Sequence, residues 1–178
     1  MSTDLGDGIL LRALHKGDAA ALAEAYTHNR AHLAPWEPAR AEEYFTLPRQ
    51  EQLVAYTLDD VAAGRSWALV LTDADQRIVG RVNLSDIVRG AFQSAHLGYW
   101  IDARLTGRGL MRRAIQKALA HARDDLGLHR VQAATLVHNT ASQRVLAAAG
   151  FTPIGRAERY LHIAGEWQDH LLFQRLLD

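Results

Sequence analysis

Two short stretches carry residues of the types and spacing that chemistry requires. Thr106-Gly107-Arg108-Gly109-Leu110-Met111 opens a long amphipathic run, with Arg112 and Arg113 directly after it. Glycine costs roughly 0.5–1 kcal/mol relative to alanine inside a helix, so Gly107 and Gly109 beside a helix start suggest backbone kept bare for a purpose. Amide N–H groups converge at the positive end of a helix and hold anions, phosphate in particular. A loop tightened only to set chain direction would use the same glycines, and the arginines would equally suit a solvated helix face. The dinucleotide fingerprint fails because its third glycine would fall on Arg112, and no Gly-Lys-Ser/Thr loop of nucleotide hydrolases occurs. The second stretch is Asn139-Thr140-Ala141-Ser142, where a strand gives way to a helix. Asn139 and Thr140 suit a helix cap, and Ser142 places a hydroxyl in the first turn.

Composition bounds what these residues can serve. The chain has 178 residues, 48% of them apolar, enough for a core, and its 20 basic side chains are balanced by 20 acidic ones. No basic field is available to hold nucleic acid, and no acidic one to gather cations. With no cysteine there is no disulfide framework, thiol nucleophile or thiolate metal site. Nine histidines include His162 and His170 near the end, but no His-Glu-x-x-His spacing occurs, so no metal is expected. The start, MSTDLGDGILLRAL, carries acids where a signal peptide needs bases, and no apolar run approaches the roughly 20 residues of a membrane span. A cytoplasmic protein without membrane or nucleic-acid partners is expected.

Periodicity supplies the elements that must position the two stretches. Ile9 to Leu14 reads as a strand, followed by a helix carrying Leu22, Ala25, Tyr26, Asn29 and Leu33 until Pro35 stops it. A loop with Trp36 between Pro35 and Pro38 precedes a second helix from Pro48 to its cap at Gly64. SWALVLTD and RIVGRVNLSDIV form a hairpin, and HLGYWID is a third strand of that group. The helix after Gly109 buries Met111, Ile115, Ala118, Leu119, Ala122 and Leu126 and closes at Gly127. A strand HRVQAATLV, a helix to Gly150, and two strands turning at Ala164 and Gly165 complete the chain. The strands on either side of the long helix are joined by a crossover and should be parallel, a pair that can splay into a slot.

With these pieces in place the sequence resembles the GNAT superfamily of acetyl-CoA-dependent N-acetyltransferases, over nearly its whole length. The pyrophosphate loop of that family looks like Gln/Arg-x-x-Gly-x-Gly/Ala. It can be laid on Thr106 to Met111 or on Arg104-x-x-Gly107-x-Gly109. The first register is preferred, since Gly-Lys/Arg-Gly-Leu-Met is its form in the branch that acetylates ribosomal-protein N-termini. HNRAHLAPWEP, NLSDIVRGAF, LGYW, GLHRVQA, VHNTAS and YLHIAGEWQDH are similar to that branch as well. The fold so implied is α+β: a three-layer sandwich whose twisted, mixed, seven-stranded sheet is flanked by about four helices, one domain over residues 1–178.

The resemblance also implies the site. Pantetheine would add along Tyr99, Trp100 and Ile101, and Asn139 would bond it. Thr106, Gly107, Arg108, Gly109, Leu110 and Met111 would cradle the pyrophosphate. Ser142 would protonate the departing thiolate. Candidates for a base acting through water are Glu158, Glu166 and His138; the branch's glutamate position falls on Leu161, and Glu158 is chosen by proximity. Trp36 and Tyr44 either wall an acceptor cleft or cover the core. Glu37, Glu42 and Glu43 either attract a cationic N-terminus or form a solvated edge. An α-amine, with a pKa of roughly 7.7–8.0 against about 10.4 for lysine, is about 10²–10³ times more available as the neutral nucleophile at pH 7. The expected acceptor is therefore a protein N-terminus, such as that of a ribosomal protein beginning with Ala or Ser, and the enzyme a monomer or homodimer. Acetylation of a small amine, or CoA binding without turnover, are the competing readings.

Overall fold

The computed structural model describes residues 2–177. A mixed sheet of eight strands forms the middle layer, in the order β1-β2-β3-β4-β5-β6-β8-β7. Strands β1 (Ser2–Asp4), β2 (Leu10–Ala13), β3 (Trp67–Thr72), β4 (Ile78–Val88) and β5 (Ser94–Ile101) run antiparallel in turn. Strand β6 (Arg130–Leu136) is parallel to β5, and β7 (Thr152–Ile163) and β8 (Glu166–Leu176) return as a hairpin on its far side. The expected seven strands become eight because Ser2–Asp4 pairs with β2, although polar Ser-Thr-Asp carries no strand pattern.

Helices α1 (Ala19–His28), α2 (Arg30–Leu33) and α3 (Leu47–Ala62) cover one face of the sheet. Helices α4 (Leu110–Asp124) and α5 (Thr140–Ala148) cover the other. Four of the five are long, as expected. The first helix breaks at Asn29, well before Pro35: the buried Asn29 leaves helical geometry and gives its side-chain amide to the carbonyl of Ala25. Alternation along β5 divides its side chains between two cores. Leu97, Tyr99 and Ile101 meet the α4/α5 core with Met111, Ile115 and Leu146, whereas Trp100 packs with Tyr26, Leu33 and Val54 on the α1/α3 side.

Parallel pairing between β5 and β6 stops early. Ser94, Ala95 and His96 pair with Arg130, Val131 and Gln132, and no ladder pair follows. From Leu97 onward one edge of β5 has no partner strand, which is the slot expected of a splayed parallel pair.

The end of β5 is pinned by Asp102, whose side chain is 2% exposed. Its carboxylate accepts from Arg104 Nε and Nη2 at 2.9 and 2.8 Å, from the Arg104 backbone N–H at 2.9 Å, and from Asn29 Nδ2 at 3.3 Å. Asn29 Oδ1 in turn accepts from Ala103 N at 3.2 Å. One carboxylate thus ties the 3₁₀ turn at Ala103–Leu105, just ahead of the glycine loop, to the α1/α2 junction. The Arg104 guanidinium holds the Asp102 carboxyl well below the usual carboxylate range, with burial opposing it. A depressed folded pKa contributes stability above the ordinary carboxylate value of about 4, and that stability is lost as the pH falls below it. Asp102→Asn should therefore lower stability by about 1–3 kcal/mol at pH 7, measured by denaturant unfolding, and by clearly less at pH 2, as the pH nears the depressed folded value. An equal loss at both pH values would mean that charge on Asp102 is unimportant.

Candidate active site

The glycine loop adopts the conformation that its residues allow. Gly107 and Gly109 have φ of +76° and +71°, in the left-handed region that side chains rarely enter, and Gly109 is the N-terminal cap of α4. Thr106, Gly107, Arg108 and Gly109 are exposed, while Leu110 and Met111 point into the core, so the last two can offer only backbone N–H groups. The three arginines separate. Arg113 gives its Nε to the Leu5 carbonyl at 2.6 Å and lies 3.9 Å from Asp7, tying the N-terminal turn to α4. Arg108 and Arg112 are exposed, and among the described residues nothing pairs with them. A bare, cationic loop at a helix start suits an anionic diphosphate.

On the far side of the slot Asn139 caps α5, its Oδ1 accepting from Ser142 N at 3.0 Å. The cap and the proposed ligand contact are compatible: the Asn139 amide NH₂ has no partner among the described residues. Ser142 is half-buried, and its Oγ lies 2.6 Å from the hydroxyl of Tyr99, which also reaches the Ser142 carbonyl oxygen at 3.2 Å. Burial pushes the Tyr99 phenol up to about 12, the bond to Ser142 opposing it, so it stays protonated at neutral pH and has a proton to donate. Sequence reasoning used Tyr99 only for its backbone. In the structure its ring lies on the α5 face, and nothing local in the sequence joins it to a serine 43 residues away.

The candidate bases lie further out. Glu158 is exposed on β7 close to Arg156, and Glu166 is exposed at the start of β8. His138, also exposed, lies against Trp36 with ring centroids 5.5 Å apart, joining the Pro-rich loop to the end of β6. That loop also meets the β7–β8 turn, where Ala164 N donates to the Glu37 carbonyl at 3.0 Å. Tyr44 is half-buried against Tyr26, 5.1 Å between centroids, and burial raises its phenol far above the usual range.

Fold and site together define a class: a glycine-started helix and a hydroxyl-bearing helix flank a gap in a mixed sheet. Such a gap accepts an extended thioester donor along β5. The chain belongs to the GNAT acetyltransferase family, matching the Acetyltransferase (GNAT) domain over residues 9–152, and is an acetyl-CoA-dependent N-acetyltransferase. It is 35% identical over 167 residues to the ribosomal protein uS5-alanine N-acetyltransferase of Escherichia coli K12, covering 93% of this chain and 86% of that one. The structure of ribosomal-protein-S5-alanine acetyltransferase from Vibrio fischeri superposes with a TM-score of 0.95 at 34% identity, covering 100% of this chain and 97% of the other. Mycobacterium smegmatis RimJ in complex with CoA-disulfide superposes with a TM-score of 0.89 at 31% identity, over 94% and 81% of the two chains.

Proposed function

We propose that the protein transfers the acetyl group of acetyl-CoA to the free α-amine of a protein, in particular a ribosomal protein beginning with Ala or Ser, working in the cytoplasm as one domain. The observation that carries this is the likeness to uS5-alanine acetyltransferases, which extends over 93% of the chain and includes both the glycine loop and the Asn139–Ser142 turn.

In this reading the free edge of β5 at Tyr99, Trp100 and Ile101 receives the pantetheine arm, and the Asn139 amide bonds it. Trp100 serves through its backbone alone, since its ring lies in the α1/α3 core with Nε1 donating to Tyr26. The N–H groups of Gly107 to Met111, with Arg108, take the pyrophosphate. Acetyl-CoA supplies an activated acyl thioester. The amine nitrogen bonds the acetyl carbon as the carbon–sulfur bond breaks. Ser142 Oγ gives its proton to the leaving sulfur and is re-protonated through Tyr99, while the amine's proton leaves through water to Glu158. The products are an N-acetylated chain and free CoA thiol, so no covalent enzyme form is needed.

Mass spectrometry of a peptide panel tests the acceptor: N-terminal Ala, Ser and Met peptides, N-blocked lysine peptides, and spermidine, each with enzyme and acetyl-CoA. Acetylation of free N-termini, Ala and Ser ahead of Met, is expected. Modification of spermidine alone would move the enzyme to small amines, and binding of acetyl-CoA without any product would overturn catalysis.

A further inference from the structure

We propose that Glu37 receives the α-ammonium group of the acceptor, inside a cavity on the α1/α3 face of the sheet; this rests on the N-acetyltransferase reading above. The cavity measures about 300 Å³, at the small end of ligand sites, and its walls include Tyr26, Leu33, Tyr44 and Phe45, with Ala164 from the β7–β8 turn. Its charged groups are Glu37, Arg30 and Arg40. That size admits the first residues of an unfolded peptide end and excludes a folded surface.

Of the three acids in this region, only Glu37 lines the cavity, and among the described residues its one ion pair, with Arg40, is a long one. Glu42 is exposed and engaged by Arg30, and Glu43 is exposed outside the cavity. The Glu37 side chain is 23% exposed, its carboxylate accepts no hydrogen bond from any described residue, and its nearest cation, Arg40 Nε, stands 3.9 Å away. Half-buried carboxylate oxygens without donors are costly, and an entering ammonium supplies up to three N–H donors and the opposite charge.

The cations facing Glu37 also have other partners. Arg30 is held by Glu42 across α2. Arg40, in the same loop, lies over the Tyr44 ring at 4.3 Å from its centroid. Arg81, from β4, gives its guanidinium to Asn83 and Thr57. Burial raises the Glu37 pKa, with Arg40 and Arg81 opposing it, so the carboxylate grips a cation less firmly as the pH falls toward that raised value.

Register joins Glu37 to the slot. Arg81, whose charge Glu37 feels, pairs with Trp100, and Asn83 pairs with Gly98, so these four share the α1/α3 face. Gly98 is exposed, and a Cβ built there would meet nothing within 4 Å, so the sheet is open above the strand edge assigned to the donor. The donor lies along the free edge of β5, and the amine reaches it at that edge from the Glu37 side of the sheet.

The test pairs Ala-initiated peptides with analogues whose α-amine is replaced by hydroxyl, binding to the acetyl-CoA-analogue complex being measured by calorimetry. Wild type should bind the amine at least ten times more tightly than the hydroxyl analogue. Glu37→Gln should bind both alike and raise the peptide KM tenfold or more, with the Kd of acetyl-CoA unchanged, and Glu37→Asp should recover part of the discrimination. If Glu37→Gln acetylates the peptide with wild-type KM and keeps the preference for the amine, the assignment is overturned. If wild type modifies no N-terminal peptide at all, the acceptor reading above falls with it.

Discussion

Gly109→Asp is expected to weaken acetyl-CoA binding by about a hundredfold, while Gly109→Asn loses far less. The two side chains have nearly the same size, and both tolerate left-handed backbone better than other residues, so the φ of +71° penalises them alike. Space also treats them alike: a Cβ at Gly109 meets only Arg113 Nη1, at 3.2 Å, the far end of a flexible side chain. What differs is a full negative charge at the N-terminus of α4. At an effective dielectric of about 20, two like charges roughly 5 Å apart repel by about 3 kcal/mol, which is about two powers of ten in affinity. Arg113 offsets part of this, but its Nε is already given to Leu5. Calorimetric titration with acetyl-CoA decides the matter. Equal affinities for the Asp and Asn variants would place the pyrophosphate elsewhere, and the alternative register starting at Arg104 would then be the first to try, although that guanidinium is committed to Asp102.

How much was legible in the sequence depended on whether the information was local. The parallel crossover around α4, the glycine cap and the Asn139 cap follow from periodicity, chain order and residue type within a few positions, and each is found in place. The turn at Ala164 and Gly165 is local too, both residues having positive φ. What escaped lies in pairings between distant segments. Ser2–Asp4 becomes a strand only because β2 offers an edge. The edge strand β7 begins as early as Thr152, since its pairing with β8 outweighs a pattern broken by Pro153 and Gly155. Asp102 stood only as the last residue of the strand HLGYWID; that it is buried beneath Arg104 and Asn29 depends on a contact across 73 residues. In the candidate site the left-handed glycines and the Asn139 cap were readable and the side-chain partnerships were not. Glu37, Glu42 and Glu43 are equivalent as letters, and only the fold separates the half-buried acid from the two exposed ones.

The second large effect is expected at Ser142. Ser142→Ala should lower kcat by about 10²-fold, the lower range for losing a positioned proton donor, and leave the Kd of acetyl-CoA within about threefold. The hydroxyl is half-buried and makes no contact that supports the helix; the α5 cap uses the Ser142 backbone N–H, which alanine retains. Loss of turnover would therefore reflect chemistry. Tyr99→Phe sharpens the argument, because the ring and its packing stay while the 2.6 Å bond to Ser142 Oγ goes. If the phenol only fills space, this change should be nearly silent. If it donates to Oγ and leaves the serine proton free for sulfur, kcat should fall about tenfold, and the double variant should be no worse than Ser142→Ala alone, since residues acting as a unit are not additive. The protonation state supports that direction of donation: a phenol whose pKa burial pushes up to about 12 holds its proton throughout the range in which an α-amine becomes a nucleophile. An acyl donor with an already stable leaving group, such as a thioester of an acidic thiol, should restore much of the rate to both variants. Full turnover by Ser142→Ala with acetyl-CoA itself would instead require the thiolate to leave unprotonated or to draw its proton from water.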